Sequence, residues 1–155
     1  MRQHRSKCPI NIAVEVLGDS WTMIVLRDLV LAGRRHFSEL LHGCPEGIAS
    51  NILASRLKRL VDAGLLTRES SARGAKARYS LTEAGIRTVP VLVALGTWGL
   101  DTADCDPEVG WRSEALRLGG PEFAERLMAE LRELHLHDGD PAQAPDSAIR
   151  ALQQR

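Results

Sequence analysis

Apolar residues near the start of the chain recur at helical spacing and are interrupted by glycine. The first such segment covers residues 10–17. The second covers residues 21–31 and is apolar on nearly every side, which predicts a helix buried in the centre of a domain. Asp19 or Ser20 is a suitable N-cap for this second helix, and Gly33 is expected to end it.

The next segment has the pattern of two helices joined by a turn. Ser38 is a suitable N-cap for a short helix, and residues 43–47 contain two glycines and a proline, as is typical of turns. Residues 49–63 then carry an apolar stripe at helical spacing, and Gly64 occupies the position of a C-terminal cap. This order predicts a helix-turn-helix in which residues 49–63 form the second helix.

Two short segments of strand-forming residues follow, at 65–69 and 77–81. The loop between them is small, polar and basic and contains glycine, so the pair predicts a β-hairpin. A long helix over 82–104 is expected next, with Thr82 as its N-cap. Pro90 is expected to kink this helix, because proline lacks the backbone N–H that a helix interior needs.

The order helix, short helix, turn, helix, hairpin, long helix predicts a winged helix-turn-helix, a mainly α fold with a small β-hairpin wing (α+β class). We assign residues 1–104 to this domain. Residues 105–120 are expected to be irregular, within a helical extension over 105–137 whose strongest amphipathic segment is 122–137. Residues 138–155 are rich in proline, glycine, alanine and glutamine and are expected to form a flexible tail.

The composition is that of an ordinary globular protein, with 44% hydrophobic and 26% charged residues. The formal net charge is zero, yet residues 1–104 carry 14 Lys and Arg against 10 Asp and Glu, and such a positive excess favours a polyanionic partner. There is no run of about 18 apolar residues, and the basic start lacks the apolar segment of a secretory signal. We therefore expect no membrane segment and a cytoplasmic location.

Polar side chains on the second helix of the helix-turn-helix are the expected DNA contacts. Such a helix buries one face and offers the other to base edges in the major groove. Ser50 and Asn51, near its N-terminus, are best placed for bases, and basic residues of the wing suit phosphates or the minor groove. The full set of expected DNA-contacting residues is Arg34, Arg35, Ser38, Ser50, Asn51, Ser55, Arg56, Lys58, Arg59, Arg73, Lys76 and Arg78.

A family pattern runs through residues 8–99. Its stretches are Cys8-Pro9, Gly18-Asp19-Ser20-Trp21-Thr22, Leu26-Arg27-Asp28-Leu29, Arg35-His36-Phe37-Ser38-Glu39-Leu40, Gly47-Ile48, Leu53-Ala54-Ser55-Arg56-Leu57, Gly64-Leu65-Leu66, Tyr79-Ser80-Leu81-Thr82, Gly85, Pro90-Val91-Leu92 and Trp98-Gly99. With these stretches the chain resembles the HxlR-type regulators, a branch close to the MarR-like winged-helix proteins. The resemblance implies a transcriptional repressor or activator that binds DNA as a homodimer.

The resemblance also implies that the two copies pair through the N-terminal helix and the helix after Thr82. Both helices hold more apolar surface than a three-helix core can cover, which favours the same homodimer. Two recognition helices would then enter successive major grooves of a pseudo-palindromic operator, about 34 Å apart. The expected interface residues are Ile10, Ala13, Leu17, Val89, Leu92, Leu95 and Trp98.

Three features depart from the family pattern. Ala49 stands where the family usually has Ser or Thr as the cap of the recognition helix, so Ser50 is expected to cap one residue later. The wing often contains prolines in the family, whereas residues 73–76 here are Arg, Gly, Ala and Lys. Residues 105–155 lie beyond the resemblance, which therefore implies nothing about them.

The three cysteines, Cys8, Cys44 and Cys105, are far apart in the chain, which argues against a disulfide framework. In some members of the family the cysteine that matches Cys8 senses oxidants or electrophiles. Lys7 and a helix N-terminus beside Cys8 would stabilise the thiolate that such a sensor needs. The other interpretation, which the sequence favours, is a small residue packed at the dimer interface.

Two further interpretations remain open. The first is a winged-helix module that no longer binds DNA and docks a protein through the acidic helix at 122–137. The second is a small-molecule effector site in which Trp111, Phe123, Leu127 and Met128 close an apolar pocket, rather than extending the dimer interface. The histidines are scattered and no catalytic motif is present, so we expect no enzyme activity, no cofactor and no metal site.

Overall fold

The computed structural model describes residues 4–70 and 76–154. Within them, helices pack around one continuous apolar core, with a two-stranded antiparallel sheet at its side. The predicted fold class, a mainly α winged helix-turn-helix, is confirmed. In chain order the elements are α1 (Pro9–Leu17), α2 (Ser20–Leu31), α3 (Phe37–Gly43), α4 (Ser50–Asp62), β1 (Leu66–Glu69), β2 (Arg78–Leu81), α5 (Glu83–Ile86), α6 (Val89–Thr102), α7 (Pro107–Leu136), a 3₁₀ helix (Pro141–Gln143) and α8 (Ala148–Gln153).

Several helix ends are fixed by the caps that the sequence predicts. The Asp19 side chain accepts a 2.9 Å hydrogen bond from a backbone N–H in the first turn of α2. Thr82 caps α5 by accepting a 3.1 Å bond from the N–H of Gly85. Gly33 and Gly64 follow α2 and α4 with φ angles of 66° and 74°, a left-handed conformation that glycine adopts without strain.

Helix α3 begins earlier than expected. Its N-cap is His36 rather than Ser38, and the helix starts at Phe37. The Glu39 carboxylate accepts hydrogen bonds from the backbone N–H groups of Arg35 and His36, at 2.9 and 3.0 Å, and so closes the first turn. Ser38 is the second residue of the helix and is partly buried.

The predicted hairpin is formed by β1 and β2, with Leu66 opposite Leu81 in antiparallel register. The chain before α3 extends this sheet, because Tyr79 of β2 donates its N–H to the carbonyl of Arg35 over 2.8 Å. Leu66 and Leu81 are buried. The root of the wing is therefore part of the core, and its orientation relative to α3 and α4 is fixed.

The long helix expected over 82–104 is divided in two. α5 ends at Ile86, and α6 begins at Val89 with Thr88 as its N-cap. Pro90 therefore lies in the first turn of α6 instead of kinking one long helix. The cause is steric: the proline ring excludes the carbonyl four residues earlier, whereas the first turn of a helix needs no N–H from proline.

Most of the segment 105–120, expected to be irregular, is helical: residues 107–119 form the first half of α7. Asp106 caps this helix by accepting a 2.9 Å bond from a backbone N–H, and Pro107 occupies the first turn. Gly120, with φ 64° and ψ −163°, breaks the helix into two halves. The glycines of the first half do not prevent a helix because this half packs along α6, with Leu116 buried at the contact.

The flexible tail expected from residue 138 onward is not what the structure shows. Its end forms α8, in which Ala148, Ile149 and Leu152 are buried in the core. The Glu130 carboxylate of α7 accepts the backbone N–H groups of Ala148 and Ile149, both over 2.9 Å, and so caps α8. These buried residues, the Glu130 carboxylate and the N-cap Ser147, which accepts the N–H of Arg150 over 3.1 Å, hold this short helix although its composition is typical of a tail.

The second half of α7 holds the wing. Nδ1 of the buried His135 accepts the backbone N–H of Leu81 in β2 over 3.1 Å. Burial of the ring and the nearby charges of Arg35 and Arg78 lower the pKa of His135 to about 3. Because only the neutral ring has an acceptor nitrogen, this low pKa preserves the bond to the wing.

We expect His135 to make the folded protein less stable as the pH falls below 6.5. From pH 6.5 down to about 3 the unfolded chain binds a proton at His135 that the folded protein does not bind. The free energy of unfolding is therefore expected to decrease by about 1.5–2 kcal/mol between pH 6.5 and about pH 5. His135→Asn keeps an acceptor oxygen without titrating and is expected to flatten this profile in urea unfolding experiments. A variant whose stability falls as steeply as that of the unaltered protein would contradict this explanation.

No single helix among the described residues is long and apolar enough to cross a membrane. Helices α1 and α2 have the length and the apolar composition of a membrane span only when they are taken together, and they are bent by 80° relative to each other.

Candidate nucleic-acid interface

Helix α4 is amphipathic, with a leucine face in the core and an exposed face opposite. Leu53, Leu57 and Leu60 are almost completely buried. They hold the helix against α2 and α3, so the opposite side is presented to solvent on a rigid support. We name this side the α4 face; its exposed residues at helical spacing are Ser50, Asn51, Ala54, Ser55 and Lys58.

The N-terminus of α4 has no side-chain cap among the described residues. The N-cap is Ala49 and the helix begins at Ser50, so the expected capping by Ser50 is wrong. Ser50 is the first residue of the helix and is exposed. The first backbone N–H groups of α4 are likewise open to an acceptor such as a phosphate oxygen or a base edge.

Arg56 and Arg59, both expected to contact DNA, are bonded within the protein. Arg56 forms a two-bond ion pair with Asp19, at 2.6 Å (Nε–Oδ1) and 3.0 Å (Nη2–Oδ2), which lowers the pKa of Asp19 to about 2. Arg59 donates from Nη2 to the carbonyl of Glu15 over 2.6 Å. The two guanidinium groups thus attach α4 to the start of α2 and to α1, which sets the angle of the α4 face.

Arg34 and Arg35, expected to hold the DNA backbone, are also bonded within the protein. Nη1 of Arg34 lies 2.9 Å from Oδ2 of the buried Asp28. Arg35 donates from Nε to the carbonyl of Tyr79 over 3.2 Å and from Nη2 to the hydroxyl of Ser80, and its burial lowers its pKa. In this structure Arg35 holds the wing against the chain before α3.

The wing carries basic residues on its exposed side. Arg78 at its root pairs with Glu69 over 2.8 Å, and Lys76, two residues before Arg78 in the chain, is exposed. Arg73 lies outside the described residues. Arg68 of β1 is also exposed and was not among the DNA contacts expected from the sequence. Its position in the hairpin, near other basic residues, could have indicated this from the sequence.

An apolar groove of about 410 Å³ opens to solvent between α1 and α6. On the same two helices, Ile10 and Trp98 are 74% and 68% exposed. Large apolar side chains are thus concentrated on one side of the molecule. The lining of this α1–α6 groove includes Ala13, Val14 and Leu17 of α1, Met23 of α2, and Val91 and Leu95 of α6.

Two of the seven residues expected at the dimer interface are in the core instead. Val89 and Leu92 are 0% and 9% exposed, so their side chains are not available to a partner. The cause is helical spacing: these two residues share the inner face of α6. Val91, Leu95 and Trp98, spaced by four and three residues, share the outer face.

Cys8 is exposed and is the N-cap of α1, while Cys44 is buried and Cys105 is partly buried. In a single copy of the chain, Cys8 is therefore accessible to a reagent. No group of three or more His, Cys, Asp and Glu side chains within residues 4–70 and 76–154 is placed to hold a metal ion.

The four residues of the hypothetical apolar effector pocket do not line one cavity. Leu127 is fully buried in the core. Phe123 faces α8, and Met128 lines a different groove, between α6 and α7. Trp111 lies in the first half of α7, under the guanidinium group of Arg112 at 4.5 Å from its ring centre. These side chains are distributed over several sides of α7.

An ion-pair cluster beside the turn before α4 was not singled out from the sequence. Arg27 forms two bonds to Glu46, of 2.5 and 2.9 Å, and one of 2.9 Å to Asp28. The bonds to Arg27 lower the pKa of Glu46 to about 2. The sequence does contain a signal for this cluster. Asp28 lies in an otherwise apolar helix that is expected to be buried, and a buried carboxylate requires a charged partner.

Comparison with known proteins identifies the family. The HxlR-like helix-turn-helix family matches residues 16–106, which is more than half of the chain. The HTH-type transcriptional regulator sll1512 of Synechocystis sp. is 35% identical over 95 residues, covering 61% of this chain and 69% of that protein. The HTH-type transcriptional regulator YybR of Bacillus subtilis is 28% identical over 102 residues, covering 65% of this chain and 80% of that protein.

Solved structures agree with this match. The crystal structure of PA1607 is similar with a TM-score of 0.59 and 35% identity, covering 65% of this chain and 69% of that one. The redox regulator HypR in its reduced form has a TM-score of 0.56 and 28% identity, covering 63% of this chain and 95% of that one. The reduced transcriptional regulator YodB of B. subtilis has a TM-score of 0.51 and 28% identity, covering 66% of this chain and 98% of that one. The chain belongs to the HxlR-like family and is a winged helix-turn-helix transcriptional regulator.

Proposed function

We propose that two copies of this protein pair through their α1–α6 grooves and read a pseudo-palindromic DNA operator with their two α4 faces. The α4 face carries this proposal, because it is exposed, polar and rigidly supported. Ser50 and Asn51 supply donors and acceptors at the open helix N-terminus, where they suit base edges. Lys76 is exposed and suits phosphates, and so does Lys58, whose ammonium group is exposed although it pairs with Asp62 over 2.7 Å.

The α1–α6 groove supports the pairing of two copies. Monomeric proteins rarely expose a large contiguous apolar patch, and a two-fold axis lets the same patch of each copy cover the other. Leu95 and Trp98 supply much of the apolar area that such a contact would bury. The two α4 helices of the dimer would then enter successive major grooves, about 34 Å apart.

Selection from a pool of random DNA duplexes tests this function. We expect the protein to enrich two inverted half-sites whose centres are about 10 base pairs, or a multiple of one helical turn, apart. The double variant Ser50→Ala/Asn51→Ala is expected to lose this enrichment while it retains weak, sequence-independent binding. Enrichment of a single half-site would contradict the dimer, and no enrichment by the unaltered protein would favour the protein-docking module instead.

We propose further that Cys8 makes DNA binding responsive to oxidants. Its exposure and its place at the start of α1, two residues before Ile10, support this role, since a change there alters the helix that carries one side of the groove. Peroxide converts a cysteine thiolate to a sulfenic acid and is itself reduced to water. The similar structure of HypR is that of a protein named as a redox regulator.

Replacing Cys8 by serine tests the redox proposal. We expect peroxide to release the unaltered protein from its operator and to leave the Cys8→Ser variant bound, because serine cannot be oxidised in this way. Cys105→Ser is the matched control and is expected to remain peroxide-sensitive, since it keeps Cys8. Electrophoretic mobility shifts with and without peroxide measure the release. Release of the Cys8→Ser variant by the same peroxide concentration would exclude Cys8 as the sensor.

A further inference from the structure

A small cavity of about 60 Å³ lies between α2, the turn before α4 and the first half of α7. We name it the α2–α7 cavity. Its apolar side includes Leu31 and Val109. Three arginines from three different segments, Arg27, Arg34 and Arg112, line its polar side. Three guanidinium groups around one small cavity are unusual, because like charges repel each other and each loses hydration there.

Two of these arginines are neutralised by carboxylates. Both lie 2.9 Å from the buried Asp28, Arg27 through Nη2 and Arg34 through Nη1. Arg27 also has its two-bond pair with Glu46. These two carboxylates therefore match the charges of Arg27 and Arg34 in number, and Asp28 acts on the third arginine, Arg112, only through space.

Arg112 forms an ion pair with neither of these two carboxylates. Its Nε donates to the carbonyl of Leu152 over 2.8 Å, and its guanidinium group stacks on Trp111. Its other two nitrogens have no acceptor among the described residues. Burial, and then the positive charge of Arg34, lower the pKa of Arg112. Among the described side chains that line the cavity or pair with its arginines, three guanidinium groups therefore face two carboxylates.

We propose that the α2–α7 cavity binds a small aliphatic monocarboxylate, with the carboxylate on Arg112 and the hydrocarbon against Leu31 and Val109. A carboxylate has two oxygens in the geometry that the two terminal guanidinium nitrogens match, and its single charge balances the excess. At about 30 Å³ per water molecule the cavity has room for about two, which corresponds to an acid of two or three carbons.

The position of the cavity gives such a ligand access to the recognition helix. Pro45 of the lining and Glu46, held by Arg27, belong to the turn that leads into α4. A bound anion would compete with Glu46 for Arg27 and so act on this turn. The family match ends at residue 106, so Arg112 is a feature of the C-terminal extension. An effect of the ligand on DNA binding rests on the proposed function, whereas binding of the ligand to the cavity does not.

Calorimetric titration of the full-length protein, without DNA, tests this binding. The probe is sodium propionate, with propionamide as its neutral equivalent and sodium chloride at the same ionic strength as the blank. We expect saturable binding of propionate and none of propionamide. Absence of saturable propionate binding would overturn the proposal, and tighter binding of inorganic phosphate would overturn the carboxylate assignment. Because DNA is absent, neither result depends on whether the protein reads an operator.

Substitution of Arg112 locates the site. Arg112→Gln is expected to weaken propionate binding about ten- to hundredfold, because a charge-assisted pair is lost. Arg126→Gln on the same helix is the matched control and is expected to bind as the unaltered protein does, since Arg126 lies on Phe123, away from the cavity. Arg112→Lys keeps the charge but loses the paired donors, so it is expected to bind with intermediate affinity even where Arg112→Gln folds poorly. Equal affinity in Arg112→Lys and the unaltered protein would overturn the site.

Discussion

Replacement of Leu95 by glutamate is expected to yield a folded monomer that binds a two-half-site operator about 10²- to 10⁴-fold more weakly than the dimer. Leu95 is 49% exposed and lines the α1–α6 groove. A carboxylate there remains hydrated in a single copy, whereas pairing of two copies would bury it without a partner. Sedimentation equilibrium measures the mass, and titration of a labelled duplex measures the affinity.

Leu136→Glu is the matched control for this experiment. Leu136 is 42% exposed at the end of α7 and does not line the groove, so the same chemical change is expected to leave the dimer intact. A Leu95→Glu protein that remains dimeric would show that the α1–α6 groove is not the interface. A monomer that keeps full affinity for both half-sites would show that DNA recognition does not require pairing.

Truncation of Leu131 to alanine is expected to lower the free energy of unfolding by about 2–5 kcal/mol. Leu131 lies in α7, in the C-terminal extension, yet it belongs to the same buried cluster as the leucines of α4 and the wing. The cavity left by the missing atoms would therefore destabilise the whole molecule rather than the extension alone. Urea unfolding followed by circular dichroism measures this change.

Leu118→Ala provides the comparison, because Leu118 is on the same helix but is 77% exposed. Its truncation is expected to change stability by less than about 0.5 kcal/mol. One cooperative unfolding transition is expected for the unaltered protein and for both variants. A Leu131→Ala protein that unfolds in two steps, with the winged-helix part as stable as before, would mean that the extension is a separate unit.

The parts of the fold that local chemistry determines were predictable from the sequence. Asp19 and Thr82 are caps because their short oxygen-bearing side chains reach a backbone N–H within the next three residues. Gly64 ends α4 for an equally local reason, its positive φ angle. The order of helices, turn and hairpin follows from such signals together with apolar periodicity, and the fold class follows from that order.

The C-terminal third was predicted less well, because distant contacts decide its structure. Leu116 and Ile149 lie in segments whose glycine and proline content is typical of irregular chain. Both are buried against elements that precede them by many residues. Tertiary packing supplies the free energy that helix propensity lacks in these segments, and periodicity within a short window does not detect it.

The same limit applies to the candidate DNA interface. Ser50 and Asn51 were placed correctly on the exposed side, since the apolar stripe of α4 defines the opposite side. Arg35 and Arg56 were expected to contact DNA but are bonded within the protein. The sequence did not indicate this, because their partners, Tyr79 and Asp19, lie 44 and 37 residues away in the chain. An arginine on a polar face has the same sequence pattern whether it contacts DNA or an acceptor within the protein.

Binding to the duplex upstream of the protein's own gene, measured over a salt series beside a scrambled duplex, tests the central claim most directly. We expect tighter binding to the native duplex and a steep loss of affinity with salt for both, because each phosphate contact releases counterions. The Ser50→Ala/Asn51→Ala variant is expected to bind the two duplexes equally while it keeps the salt dependence. Absence of binding to either duplex even at low salt would contradict the assignment of the α4 face to DNA recognition.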